Sequence, residues 1–351
     1  MSAFARKVIV WQKAQGRHDL PWQNTRDAYR IWLSEVMLQQ TQVAAVVPYY
    51  ERFLARFPDI ATLAVASLDD VMPFWAGLGY YARARNLHRA AQQIVAMHGG
   101  IFPRAFEDIL ALSGIGRSTA AAISAFAFGD KRAILDGNVK RVFARHFCVE
   151  GDVKHKPVED QLWQIAESQL PRADIESYTQ GLMDLGATVC RRRQPSCPEC
   201  PVRKSCIALK RGRVEALPER SLRREIPYRQ TRMLVVILAG EVLLEKRPPT
   251  GIWGGLWSLP ELPVEADIFT ALQIRYGIVD RTTREMSRVD HGFTHFSLAI
   301  FPVEIIPAKS SLHAMEPGLI WLSLADAINA AIPAPVKRIL ESVKSPHPIK
   351  R

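Results

Sequence analysis

No stretch of this chain is apolar for long enough to cross a membrane. The longest such run, near Met233–Ala239, falls far short of the roughly twenty residues a spanning helix needs. The N-terminus, MSAFARKVIVWQKAQGRHDL, has neither the apolar segment nor the small-residue cleavage site of a secretory signal. Cysteine is scarce too, with five in 351 residues. A chain of that length with 48% hydrophobic residues can bury a large core without disulfide staples. Internal repeats and low-complexity tracts are also missing. These absences argue against a membrane-spanning or disulfide-stapled secreted protein, and we expect a reduced, cytoplasmic compartment.

The little cysteine there is lies almost all in one place. Cys190, Cys197, Cys200 and Cys206 fall within seventeen residues, spaced C-x6-C-x2-C-x5-C. In a reduced compartment such a cluster reads as a metal centre. Zinc ribbons and fingers usually carry two ligand pairs a dozen or more residues apart. Here four thiols share one short loop stiffened by Pro195, Pro198 and Pro201, which suits a cubane iron–sulfur cluster better. Zinc is the alternative. The fifth cysteine, Cys148, sits in the apolar run around Phe147 and is expected to be a buried free thiol.

Arg191, Arg192, Arg193, Arg203 and Lys204 surround the cysteine loop. The first 225 residues carry 32 Lys and Arg against 23 Asp and Glu, and the remainder carries 14 against 12. The positive excess therefore belongs with the loop, as expected of a surface that meets a phosphate backbone.

The length predicts two domains. Residues 1–212 read as helical, with helix-like stretches at Tyr29–Gln42, Ala82–Met97, Ser118–Phe128 and Val158–Leu170. A charged segment with Pro218 and Pro227, residues 213–228, reads as a linker. From 229 to 351 the pattern becomes α+β. MLVVIL, a Gly240 turn and EVLLEK form a hairpin, FSLAIFPVEII is a further strand, and Ser323–Ala331 and Pro335–Val343 are short helices.

LALSGIGRSTAAAIS, Leu110–Ser124, places Gly114 and Gly116 between two helical stretches (the hairpin region spans about 106–128). Glycines allow close backbone approach, and free amides at the next helix start bind an anion. An ordinary helical connection explains two glycines nearly as well. Glu35 lies in an apolar helix between Trp32, Leu33 and Val36, Met37, Leu38, with no cation one turn away. A carboxyl in such surroundings keeps its proton at neutral pH; the plainer reading is an exposed polar-face residue. Asp136 precedes Gly137-Asn138 and could be an ordinary helix cap.

The hairpin, ILDGNVKRV (Ile134–Val142) and the cysteine loop resemble the endonuclease III superfamily of DNA base-excision glycosylases. LPWQ at Leu20–Gln23, WLSEVMLQQTQV at Trp32–Val43 and GLGYYARARNL at Gly77–Leu87 are similar to its adenine-specific branch. The resemblance implies an all-α helix-hairpin-helix core with a [4Fe-4S] cluster on the loop 190–206. It gives Glu35 the role of general acid at adenine N7, and afterwards of water activator. It has Asp136 stabilise the oxocarbenium-like sugar, electrostatically or through a transient covalent bond, with Asn138 positioning the site. The logic parallels glycoside hydrolysis by two carboxylates. Bifunctional members carry a lysine where this chain has Ser118, so the amine nucleophile of a lyase is missing; Lys140, nearby in sequence, is no designed substitute.

The base must leave the stack to be cut. By resemblance Gln40, Thr41, Leu78 and Tyr80 form the wedge, and Trp22, Gln23 and Gln180 line the adenine pocket. Gly114 and Gly116 grip phosphate, with Ser113 standing where many such hairpins have Pro. RPPTGIWGGLWSLPE (Arg247–Glu261) and the triplet Phe293–His295 are similar to the Nudix-like module of this family, in which Phe293, Thr294 and His295 sense 8-oxoguanine. No Glu-rich box of the type REuxEExGu follows Gly255, so pyrophosphatase activity is not expected. The expectation is a monomeric, monofunctional glycosylase acting on double-stranded DNA with adenine opposite 8-oxoguanine or guanine, and no membrane partner. Its rivals are a bifunctional endonuclease III-like glycosylase/lyase and a non-catalytic iron–sulfur DNA-binding regulator.

Overall fold

The computed structural model describes residues 1–219, 226–293, 295–308 and 318–344; Thr294 lies outside them. The described residues fall into two compact units, one within Met1–Val65 and Arg85–Arg223 and the other within Ala66–Ala84 and Arg224–Arg351. The segment bearing Leu78 and Tyr80 therefore belongs with the C-terminal residues, although its sequence reads as part of the helical region.

Among the described residues the helices preceding the linker run in the order α1 (Ala3–Gln15), α2 (Ala28–Leu38), α3 (Val43–Arg56), α4 (Ile60–Val65), α5 (Leu68–Trp75), α6 (Ala82–His98) and α7 (Phe106–Ala111). There follow α8 (Arg117–Ile123), α9 (Gly137–His146), α10 (Lys156–Ser168), α11 (Ile175–Asp184) and α12 (Ile207–Lys210). Side-chain caps start the helices that matter most for the site. Asp27 accepts from the Tyr29 amide at 2.9 Å to begin α2, and Asp136 accepts from the Val139 amide at 2.8 Å to begin α9. One core joins α1, α9, α10 and α11 through Val8, Val139, Phe143, Leu162 and Tyr178. Gly181 lets α11 approach α1, since a Cβ there would stand 2.8 Å from a Val8 methyl.

The expected helix at Tyr29–Gln42 is broken. α2 stops at Leu38, Gln40 takes a positive φ of 60°, and α3 begins at Val43. The helix expected from Ser118 starts one residue earlier, and its last turn, Ser124–Phe128, widens to a π-turn that Gly129 ends at φ 73°. A second π-turn, Leu185–Val189, continues α11 toward Cys190.

In the second unit an eight-stranded sheet among the described residues comprises β1 (Tyr228–Leu238), β2 (Glu241–Lys246), β3 (Trp257–Ser258), β4 (Glu261–Leu262), β5 (Arg281–Glu285), β6 (Val289–Gly292), β7 (Ser297–Pro307) and β8 (Leu319–Ser323). β1 and β2 form the expected hairpin, with Leu238 opposite Glu241 across Ala239-Gly240, both at positive φ as a two-residue turn requires. β1 runs parallel to β7 with Met233 opposite Pro302. The helices α13 (Ile268–Tyr276), α14 (Leu324–Asn329) and α15 (Ala334–Lys344) complete the unit. Leu234, Val236, Leu272, Val303 and Ile305 form its core.

Candidate active site

A cleft of about 1610 Å³ opens in the first unit, lined from α1, α2, α8, α9, α11 and the loops leading into α2 and α3. It brings together Glu35, Asp136, Asn138 and Ser118 with Trp22, Gln23, Gln40, Thr41, Gln180 and Gly116. These residues are drawn from distant parts of the sequence, so the fold, and not local chain, assembles them.

Glu35 is partly buried, on a helix whose neighbours Trp32, Leu33, Ser34, Val36 and Met37 are all buried. Burial first, and then the charge of Asp136, push its carboxyl up to about 8. Burial also pushes Asp136 up. Opposing that rise are the amides of Val139 and Asn138, the Arg141 guanidinium and the Asn138 side chain, all of which favour the anion. Asp136 is thus a helix cap and a cleft carboxylate at once.

Ser118 has a definite task. Its Oγ accepts the backbone N–H of Leu135 at 3.0 Å, tying the start of α8 to the residue before Asp136. Lys140, the neighbouring amine, points its Nζ to Glu159 at 2.7 Å. Among the described residues the lysine lining the cleft is Lys13, ion-paired with Asp174 at 2.6 Å.

At the hairpin between α7 and α8, Gly114 has φ 80°, and a Cβ there would stand 2.7 Å from that of Asn86. Gly116 is the N-cap of α8 and brings no side chain to cover its first amides. Trp22 is buried, edge-on to Tyr50 at 5.3 Å. The Gln23 side chain holds its own loop, accepting from Leu20 N at 3.1 Å and donating to Arg17 O at 3.0 Å.

Leu78, Tyr80 and Gly114 do not line this cleft. In the second unit Leu78 is buried, whereas Tyr80 is 47% exposed and holds φ 50°. Phe293 stacks on Phe296 at 4.4 Å and meets Trp253 and His291, while His295 is exposed. α13, the helix that follows Gly255, has the sequence IFTALQIRY and so carries no carboxylate for a divalent cation.

The four loop thiols interact with one another. Burial first, and then Cys190, Cys206 and Cys197, push Cys200 up to about 12 against the Val202 amide. Cys197 and Cys206 are also raised, by burial first and with neighbouring cysteines adding to it. Among the described residues no three His, Cys, Asp or Glu side chains converge on a single-ion position. Four thiols on one short loop are the donor set that a four-thiolate cluster uses. Cys148 is free but only partly buried, a correction to the expected buried thiol: it sits at φ 55° just past α9, where the turn leaves part of it in solvent.

Two arginines that sequence reasoning passed over hold the loop. Arg145 is buried and donates to the carbonyls of Leu217 at 2.8 Å, Arg191 at 2.7 Å and Arg192 at 3.3 Å. Arg141 donates to Cys190 O at 2.8 Å, Gly186 O at 2.6 Å and Asn138 Oδ1 at 2.8 Å. Gly186 is required there, since a Cβ would stand 2.5 Å from that of Asn138.

Residues 33–168 match the HhH-GPD superfamily of base excision DNA repair proteins, and residues 232–342 match the NUDIX domain family. The adenine DNA glycosylase of Buchnera aphidicola subsp. Acyrthosiphon pisum (strain APS) is 37% identical over 97% of both chains. The chain belongs to the adenine DNA glycosylase family. The Mus musculus adenine DNA glycosylase is 32% identical over 97% of this chain and 77% of its own. A thermostable thymine-DNA glycosylase of known structure is 30% identical, with a TM-score of 0.54 over 59% of this chain and 95% of its own. The helix-hairpin-helix core and the C-terminal Nudix-like fold are thus those of the family, which, as endonuclease III-like, is compatible with an iron–sulfur cofactor. No described helix is long and apolar enough to cross a membrane.

Proposed function

We propose that the chain is a monofunctional glycosylase hydrolysing the N-glycosidic bond of adenine opposite 8-oxoguanine or guanine in duplex DNA. One observation carries this reading. A carboxyl that keeps its proton to about pH 8 shares a cleft with a second carboxyl whose hydrogen-bond partners favour the anion. Glu35 donates its proton to adenine N7, so that the base leaves neutral. Asp136, capped into α9, faces the positive charge that develops on the sugar. Asn138 and Ser118 position Asp136, the first through its side chain and the second through the Leu135 amide. Water then completes the hydrolysis, with Glu35 as base.

Trp22, Gln180, Gln40 and Thr41 would receive the extruded adenine and the strand around it. Gly114 and Gly116 would approach phosphate, and Leu78 and Tyr80 the opposite base. Cys190, Cys197, Cys200 and Cys206 would hold a [4Fe-4S] cluster, which when bound pins the basic loop against DNA. Phe293, Thr294 and His295 would read 8-oxoguanine. Residues 1–212 would be the glycosylase region, 213–228 the linker and 229–351 the lesion-reading domain of a monomer acting in the cytoplasm. A panel of duplexes, each with one mispair, tests the substrate: release of free adenine opposite 8-oxoguanine and guanine is expected, and preferential release of a pyrimidine would refute it.

A further inference from the structure

Asp184, the last residue of α11, has 1% of its side chain exposed and is surrounded by donors. Its Oδ1 accepts from Arg17 Nε at 2.7 Å and from Gln180 Nε2 at 2.8 Å, and its Oδ2 accepts from the Arg17 backbone amide at 3.0 Å. Gly16 makes room for this, since a Cβ there would lie 2.6 Å from the Gln12 carbonyl oxygen and 3.1 Å from Asp184 Oδ2. One buried carboxylate therefore draws the turn after α1 onto α11, at the wall of the cleft.

The consequence falls on Gln180. A carboxylate accepts hydrogen bonds and cannot donate them, so the end of the Gln180 amide that meets Asp184 must be the NH2. The oxygen end is left for the cleft that Gln180 lines. An amide free to turn about its last bond offers donor or acceptor as the partner demands and discriminates poorly. An amide pinned by Asp184 offers only an acceptor. Adenine carries a donor amine at C6, whereas hypoxanthine and guanine carry an acceptor oxygen there.

We propose that Asp184 is a positioning residue for base selection. By holding Gln180 Nε2, it presents Gln180 Oε1 as a fixed acceptor for the exocyclic amine of adenine and turns that acceptor against a 6-oxopurine. The inference rests on the adenine activity proposed above and gives it a physical basis for rejecting the wrong purine. Two acceptors brought together with no proton between them are left unpaired, which is how a polar pocket rejects an analogue.

The test uses the full chain in single-turnover excision on two duplexes, identical except that the target base opposite 8-oxoguanine is adenine or hypoxanthine. In Asp184→Asn the new amide donates or accepts in the same place, so Gln180 can turn. The adenine-to-hypoxanthine rate ratio should fall by about tenfold or more. That ratio cancels the active fraction, so partial misfolding does not disturb it. The double variant Asp184→Asn with Gln180→Glu should restore the ratio, because the amide introduced in place of Asp184 donates to one oxygen of the new carboxylate and the other oxygen still accepts. Equal losses on both bases in Asp184→Asn would overturn the proposal and leave Asp184 as a loop anchor. A fallen ratio that the double variant fails to restore would overturn it as well. If the unaltered chain released no adenine at all, the adenine reading itself would fall, and this inference with it.

Discussion

Glu35 and Asp136 line one cleft, and after burial it is the Asp136 charge that pushes the Glu35 carboxyl up to about 8. At pH 7 roughly nine in ten Glu35 groups then keep their proton. Two residues of nearly equal intrinsic acidity are separated in role by surroundings. Glu35 has apolar neighbours and no cation one turn away on its helix. Asp136 is also raised by burial, but two amides, an amide side chain and a guanidinium oppose that rise and favour its anion.

The same relationship costs stability, in a direction that can be checked without DNA. A carboxyl whose pKa is higher in the folded chain binds more protons folded than unfolded. Its contribution is fully present below the unfolded value near 4.5 and is lost as pH rises toward about 8. Glu35→Gln should therefore melt at higher temperature than the parent at pH 7, by on the order of 2–3 kcal/mol in stability, and the advantage should vanish near pH 4. Equal melting temperatures at both pH values would mean that Glu35 is well solvated. In the parent, kcat/KM should fall as pH rises through about 8, as the acid form is lost.

Asp136→Asn separates capping from catalysis. Asparagine caps a helix about as well as aspartate, so α9 should persist, and removing a carboxyl that burial raises should not lower the melting temperature at neutral pH. The rate of excision should nonetheless drop by several orders of magnitude, because a neutral amide cannot stabilise the sugar cation. A loss of less than about tenfold, or about 1.4 kcal/mol, would reduce Asp136 to a cap.

Ser118→Lys removes the acceptor for the Leu135 amide and puts an amine in the cleft. Borohydride trapping of a covalent DNA complex should rise above the parent's, while adenine release slows because the backbone before Asp136 loses its tether. Strand scission by the unaltered chain, without alkali, would favour the bifunctional rival.

The iron–sulfur reading predicts yellow-brown protein, and Cys197→Ser should lose colour and DNA affinity together. Arg145→Ala should also lose iron, since its guanidinium holds two carbonyls within the loop, of Arg191 and Arg192, and that of Leu217 beyond it. Stoichiometric zinc without iron in protein prepared free of oxygen would overturn the cluster.

Some of this is legible in the amino-acid sequence. Glu35 stands out as a lone carboxyl in an apolar helix, and the Ala239-Gly240 turn follows from two apolar runs meeting at a glycine, whereas Gly114 and Gly116 point to a hairpin only together with Ile134–Val142 and the cysteine loop. The break at Gln39–Gln42 was not legible. Those residues carry no proline or glycine to end a helix, yet Gln40 takes a left-handed φ of 60° and the Thr41 amide turns back to the Leu38 carbonyl. Arg141 and Arg145 were hidden for a different reason. They are two of 46 basic residues, and their carbonyl partners lie as far as 72 positions away. Asp184 is hidden likewise: burial and a partner 167 residues distant leave no local pattern.

Lesion reading in the C-terminal unit should depend on the ring cluster. Phe293→Ala removes the face that stacks on Phe296 and meets Trp253 and His291. Preference for 8-oxoguanine over guanine opposite adenine should shrink by about ten- to a hundredfold, from the loss of contacts worth roughly 1–3 kcal/mol. An unchanged preference would leave the segment as an edge strand and its turn.

The most direct test of the whole account is single-turnover excision from a duplex holding one adenine opposite 8-oxoguanine, run side by side for the parent and Glu35→Gln, with binding measured on the same duplex. The parent should release free adenine and leave a site that breaks only after alkali, while Glu35→Gln binds the duplex as tightly and releases nothing. Adenine release by Glu35→Gln at the parent's rate would contradict the account, because the proton on which it rests would then come from somewhere else.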